Sequence, residues 1–200
     1  MFELTLPPQE EMFLRSQYAS TQVILEYGSG GSTFLALKSN SRSKIYACET
    51  DEQWLLRLCH EIDERGLSDR FTPVLCDIGP TRVWGNPCFE QRGTDLQRMN
   101  LFMNYSIRPW RLLRQNNESP SVVLIDGRFR VACFLTALSF IEANTLVLFD
   151  DYTDRPHYHC VEEFVKPTLK IGRMAVFHVK PGMITATDYL LFNKYLLDWR

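Results

Sequence analysis

Val23-Ile24-Leu25-Glu26-Tyr27-Gly28-Ser29-Gly30-Gly31-Ser32-Thr33 is the stretch that decides the fold. An apolar, β-branched run gives way to small residues and then to Thr33-Phe34-Leu35-Ala36-Leu37-Lys38, which reads as strand, tight turn and helix. Glycine at three of the four positions 28–31 lets the backbone take positive φ and lets a ligand lie against it without meeting a Cβ. Thr33 stands where a dinucleotide G-x-G-x-x-G turn would have its last glycine, and Glu26 precedes the first glycine by two residues. A glycine and serine turn between a buried strand and a helix also occurs in α/β proteins that bind nothing there, so the reading must be tested against the rest of the chain.

Outward from that turn, short apolar runs alternate with helical patterns, the mark of parallel strands joined by crossovers. Lys44 to Glu49 reads as a second strand, Phe71 to Cys76 as a third, Ser121 to Ile125 as a fourth and Thr145 to Phe149 as a fifth. Between the second and third, Thr50 reads as a helix cap with Gln53 as its capping-box partner. An apolar stripe of Trp54, Leu55, Leu58, Cys59 and Ile62 follows, and Gly66 is the stop. Each strand ends at or beside an acid. In an open parallel sheet the ligand lies beyond the carboxyl ends of the strands, so Glu26, Glu49, Asp77, Asp126, Asp150 and Asp151 are expected to converge on one rim. Glu49, 19 residues after Gly30, is placed to accept hydrogen bonds from both ribose hydroxyls of a nucleoside.

The E-x-G-x-G-x-S pattern of Glu26, Gly28, Gly30 and Ser32 resembles motif I of the class I S-adenosylmethionine-dependent methyltransferases, with Ser32 in place of a final glycine. The resemblance runs from about Val23 to Lys180. It implies an α/β, Rossmann-like, doubly wound sheet of seven strands in the order 3-2-1-4-5-7-6, mostly parallel with the seventh strand antiparallel. It also implies S-adenosyl-L-methionine as cofactor, held by Glu26, Gly28, Ser29, Gly30, Gly31, Ser32, Glu49 and Asp126, with Asp77 at the adenine amino group and Ile78 beside the ring. Leu169 to Lys180 is expected to fold back as a hairpin about Gly172-Arg173.

Two apolar strands deliver Asp126-Gly127-Arg128-Phe129-Arg130 and Asp150-Asp151-Tyr152 to the rim. Carboxylates gathered there repel one another unless a cation or proton intervenes, and hard oxygen ligands suit Mg²⁺. Asp126, Asp150 and Asp151 resemble the metal-holding acids of catechol O-methyltransferase and its relatives. The competing reading is a metal-free site with Asp126 or Asp151 as general base, the acids being neutralised by Arg128, Arg130 or Arg155. Trp84, Tyr105 and Trp110, from a long region between the third and fourth strands, are candidates for an acceptor pocket, or else pack that loop. Arg128, Arg130, Arg155 and His157 are candidates for binding an anionic acceptor.

Composition narrows the class. At 200 residues, 45% hydrophobic, with no linker or repeat, the chain reads as one domain over 1–200, with 78–120 as a substrate-side insertion and 185–200 as a C-terminal helix. A net charge of −2 without a basic block argues against sequence-independent nucleic-acid binding. The six cysteines form no C-x-x-C pair, which favours a reduced, cytoplasmic protein. No uncharged apolar run reaches spanning length, and Met1-Phe2-Glu3-Leu4 does not open a signal peptide. The expectation is a methyltransferase acting on a small molecule, at oxygen, with a homodimer contact open to the apolar tail. The alternatives are a non-catalytic nucleoside- or partner-binding protein and an NAD-dependent oxidoreductase.

Overall fold

In the computed structural model, which describes residues 2–88, 96–192 and 194–198, the chain alternates helix and strand as its periodicity requires. The strands are β1 (Val23–Tyr27), β2 (Lys44–Glu49), β3 (Phe71–Leu75), β4 (Val122–Ile125), β5 (Thr145–Phe149), β6 (Leu169–Ile171) and β7 (Met174–Val179). The helices are α1 (Pro8–Tyr18), α2 (Gly31–Ser39), α3 (Glu52–Asp63), α4 (Leu96–Gln115), α5 (Arg130–Phe140) and α6 (Ala186–Phe192), with a 3-10 helix over Pro156–Glu163. The sheet runs β3-β2-β1-β4-β5-β7-β6, parallel except for β7, as the resemblance implied.

Strand alternation divides the core in two. Ile24, Ile45, Ala47, Val122, Leu124, Leu148 and Val176 face α1, α2 and α3, whereas Leu25, Tyr27, Tyr46, Cys48, Val123, Ile125, Phe149 and Phe177 face α4 and α5. The helix α3 shows the logic locally. Asp51, rather than the expected Thr50, caps it by accepting from the Trp54 N–H at 2.9 Å, and its stripe of Leu55, Leu58 and Ile62 is buried on the sheet. Burial of side chains that size stabilises by about 1.5–3 kcal/mol each. By contrast α5 is buried from Arg130 to Leu138 because α4 and the 3-10 helix cover it.

Register sets the rim. Cys48, Tyr27, Ile125 and Phe149 form one row across the sheet, so the residues that follow them, Glu49, Gly28, Asp126 and Asp150, form the next. Two expectations are corrected here. Much of 78–120 is the crossover helix α4 itself rather than an insertion, and the expected helix over 185–200 ends at Phe192 and gives way to a turn over 194–197. Residues 199 and 200 lie outside the described residues. All six cysteines are unpaired, and no helix among the described residues is long and apolar enough to cross a membrane.

Candidate active site

The glycine turn is held from both sides. Gly28 has φ 95°, and a Cβ there would come within 3.0 Å of the Gly127 nitrogen, so β1 and β4 meet backbone to backbone beyond their last pair. A Cβ on Gly31 would overlap Glu3 and Leu4, because the N-terminal segment crosses the start of α2. Phe2 packs edge-on against Trp54 at 4.6 Å, and the Trp54 indole N–H donates to the Ser29 carbonyl at 2.9 Å. The first residues therefore cover the turn.

Glu49 ends β2 with its carboxylate half-buried beside that turn. Its Oε1 accepts from the backbone N–H groups of Thr50 (2.7 Å) and Asp51 (3.1 Å), and its Oε2 from the Ser29 hydroxyl at 3.2 Å. Burial raises its pKa, and those two backbone N–H groups pull it back down. The Thr50 hydroxyl also approaches Oε1 at 3.4 Å, so Oε2, which takes only the Ser29 hydroxyl, is the oxygen with acceptor capacity left for a ribose hydroxyl. Thus acceptor oxygens and a cradle without side chains stand side by side, which fits the ribose and methionine ends of a nucleoside cofactor.

Glu26 lies elsewhere than on an open surface. It is wholly buried under α1, with Oε1 accepting from Tyr18 (2.7 Å) and Oε2 from Thr33 (2.6 Å), while Thr33 Oγ1 also accepts from the Gly30 N–H at 3.0 Å. Burial pushes the Glu26 pKa up to about 7, against the opposing hydrogen bonds of Thr33, Tyr18 and Ser32. This acid braces the turn from beneath instead of lining the cofactor side. Asp77 is exposed and accepts from the Gly79 N–H at 2.8 Å, whereas Ile78 is fully buried in the core and not beside an open nucleoside surface.

Tyr105 and Trp110, expected as acceptor-pocket candidates, are core residues. Tyr105 is 1% exposed with its hydroxyl against Gly127, and the Trp110 indole N–H donates to the Tyr27 hydroxyl at 2.8 Å. They pin α4 to the sheet. The side chain of Trp84 lies outside the described residues. The backbone of its 3-10 turn, Val83–Gly85, comes down on the rim, since a Cβ on Gly85 would meet the Thr50 hydroxyl at 2.6 Å and Arg128 at 3.8 Å. Arg128 is partly exposed at the β4 end, and His157 is exposed at the entry to the 3-10 helix.

The acids after β4 and β5 do gather. Asp126, Asp150 and Asp151 bring ligand atoms within 4.8 Å of one another, close enough to share one cation. Guanidinium groups already stand among them. Arg130, only 6% exposed, donates to the carbonyls of Gly127, Asp150 and Asp126 and pairs with Asp126 at 3.0 Å and Asp151 at 3.2 Å. All three of its nitrogens are spent internally, so it ties β4 to β5 and is not an acceptor-binding residue as expected. Arg155 pairs with Asp151 at 2.8 Å. Arg173, from the β6–β7 turn, pairs with both Asp150 and Asp151. Placed so, the donor set does not fit a divalent ion, which would have to displace these cations. Burial pushes the Asp126 pKa up to about 8, opposed by Arg130 and reinforced by the Asp150 charge. Sequence reasoning missed Glu10, Tyr18 and Arg173. For Arg173 a signal existed: an antiparallel β7 must begin at the rim, so the turn before it lies over the β5 acids.

A crystal structure of a methyltransferase-like protein from Silicibacter pomeroyi matches this fold with a TM-score of 0.84 and 34% identity, over 98% of each chain. The chain belongs to the class I S-adenosylmethionine-dependent methyltransferase superfamily. Within it, this methyltransferase-like chain shares its fold with more distant structures. One is an O-methyltransferase from Bacillus cereus in complex with SAH, at TM-score 0.55 and 17% identity over 86% of this chain and 82% of that one. Another is an RNA methyltransferase from Salinibacter ruber in complex with S-adenosyl-L-homocysteine, at TM-score 0.52 and 14% identity over 92% and 97%. No protein-family model matches the methyltransferase-like chain, and no curated protein does. The antiparallel β7 inserted between β5 and β6 also separates it from the 3-2-1-4-5-6 order of the dinucleotide-binding oxidoreductases.

Proposed function

We propose that this protein transfers a methyl group from S-adenosyl-L-methionine to an oxygen of a small-molecule acceptor, with no divalent ion taking part. The observation that carries the reading is the row of Glu49, Gly28 and Asp126 across β2, β1 and β4, which puts a diol acceptor, a side-chain-free cradle and a proton acceptor on one rim. Glu49 would hold the ribose hydroxyls. Gly28, Ser29, Gly30 and Gly31 would present backbone to the methionine end, with Ser32 and Glu26 bracing the turn from inside the fold. The cofactor, when bound, supplies a methyl group already activated on a sulfonium, so alignment contributes much of the rate.

The residues of the chain then have to seat the acceptor and take its proton. Asp126 is the base in this reading: its raised pKa matches it to an acceptor hydroxyl better than an ordinary carboxylate would be. Asp151 is paired with Arg130, Arg155 and Arg173, which occupy both of its carboxylate oxygens and leave it less free to reach an acceptor. Arg128 and Arg155 stand at the acceptor side with His157 near the entry.

The test is incubation with S-adenosyl-L-methionine and a panel of hydroxylated small molecules, scored by release of S-adenosyl-L-homocysteine. Turnover with an acceptor, insensitive to chelator and lost in Asp126→Asn with cofactor binding kept, supports the proposal. Cofactor binding with no turnover across the panel favours the non-catalytic alternative.

A further inference from the structure

Three carboxylate oxygens from two segments converge on one nitrogen. Arg173 Nε lies 3.1 Å from Asp151 Oδ1, 3.3 Å from Asp150 Oδ1 and 3.7 Å from Glu10 Oε2. Asp150 and Asp151 follow β5, Glu10 comes from α1, and Arg173 lies in the turn between β6 and β7. Glu10 is 1% exposed at its side chain, and its Oε2 has no hydrogen-bond partner, while its Oε1 accepts the Arg173 backbone N–H at 2.8 Å. The Glu10 charge is therefore balanced across the Arg173 side chain rather than by a bond of its own. Gly172 makes the approach possible, since a Cβ there would overlap the Glu10 carboxylate.

We propose that Arg173 is the resident cation of this rim: its guanidinium stands at the centre of the Glu10, Asp150 and Asp151 oxygens, excludes divalent ions from them, and clamps α1 to the β6–β7 turn. An arginine fixed by a hairpin turn supplies a charge that neither chelation nor metal supply can alter. Asp150 accepts from it with both oxygens, Nε reaching Oδ1 at 3.3 Å and Nη2 reaching Oδ2 at 3.4 Å, which is the geometry a planar guanidinium favours. Removing the side chain would leave Glu10 Oε2, the Asp150 carboxylate and Asp151 Oδ1 around an empty point, with Arg130 and Arg155 still on Asp151 Oδ2, and those freed oxygens suit a hard divalent cation. This inference stands apart from the methyl-transfer reading, because its readout is metal binding to the folded chain and needs neither cofactor nor acceptor.

The experiment titrates Mn²⁺ into the full chain and follows the loss of the free-ion electron paramagnetic resonance signal, for the native protein, Arg173→Ala and Arg173→Lys. Expected are no stoichiometric binding by the native protein at millimolar Mn²⁺, one-to-one binding by Arg173→Ala with a thermal midpoint raised by several degrees, and no binding by Arg173→Lys, whose ammonium restores the charge. Adding Glu10→Gln to Arg173→Ala should weaken the new site tenfold or more. Stoichiometric Mn²⁺ binding by the native protein overturns the proposal, and so does a folded Arg173→Ala that binds none. If Arg173→Ala does not fold, Arg173→Gln carries the same expectation and the native titration decides independently.

Discussion

Tyr18 donates a 2.7 Å hydrogen bond to Glu26, joining the end of the first helix to the acid beneath the glycine turn. Both residues are fully buried. Because burial holds the Glu26 pKa near 7 against an ordinary carboxyl value of 4.5, the folded chain keeps a proton that the unfolded chain releases between those values. The contribution is complete below 4.5 and is lost as pH rises through 7, amounting to roughly 3 kcal/mol by linkage. Denaturant unfolding of the native protein and of Glu26→Gln from pH 4.5 to 8 should show the native stability falling relative to the variant across that window. A constant difference between the two would refute the assignment.

Removing the Tyr18 hydroxyl should act on the same acid. Tyr18→Phe leaves a buried carboxyl oxygen without its donor, at a cost of about 1–3 kcal/mol. The Glu26 pKa, which this bond lowers, should rise further. A denaturant midpoint unchanged from the native one would contradict the brace described here.

The Gly28 and Gly127 backbones touch across the β1–β4 crevice, and Gly127 also lies under the Tyr105 hydroxyl. Gly127→Ala should therefore destabilise by about 1–3 kcal/mol through overpacking. Gly66→Ala is a control whose Cβ would meet nothing within 4 Å, with strain from φ 65° as its one penalty. Equal losses in cofactor-free unfolding experiments would show that the close approach matters less than backbone conformation.

Asp126 should titrate near 8 in a carbon-13 NMR experiment on the carboxyl group, since burial and Asp150 raise it while Arg130 lowers it. Asp150→Asn removes a neighbouring negative charge, so Asp126 should then titrate lower. Once an acceptor is in hand, kcat/KM should rise with pH through about the same value, because the base works only when ionised. An Asp126 carboxyl that titrates near 4 would remove it from this role.

Trp110 distinguishes packing from recognition. Trp110→Phe loses the 2.8 Å bond to Tyr27 and should cost about 1–3 kcal/mol of stability. Acceptor KM should stay at the native value. A raised KM with unchanged stability would return Trp110 to the acceptor pocket.

The strands and the acids at their ends were legible in the sequence because short apolar runs, buried on both faces, and the strand, turn and helix of residues 23–38 are local signals, whereas the strand order came with the resemblance of the glycine turn to motif I. What each acid does was less so. Glu26 and Glu49 both end strands, yet one is sealed under Tyr18 and the other stands half-open beside Ser29, a difference set by α1, which is distant in sequence. Tyr105 and Trp110 carry aromatic rings suited to a pocket or a core, and only the docking of α4 decides between them. The pairing of Arg173 with Glu10 spans 163 residues and has no local signature, although the antiparallel β7 placed its turn at the rim.

The most direct test of the account is calorimetric titration of S-adenosyl-L-homocysteine into the native protein and into Glu49→Gln. The native protein should bind one equivalent, and Glu49→Gln should bind about tenfold to a hundredfold more weakly, the worth of a hydrogen bond to a charged group. No binding by the folded native protein, or equal binding by the variant, would contradict the assignment of Glu49 and the glycine turn as the nucleoside site.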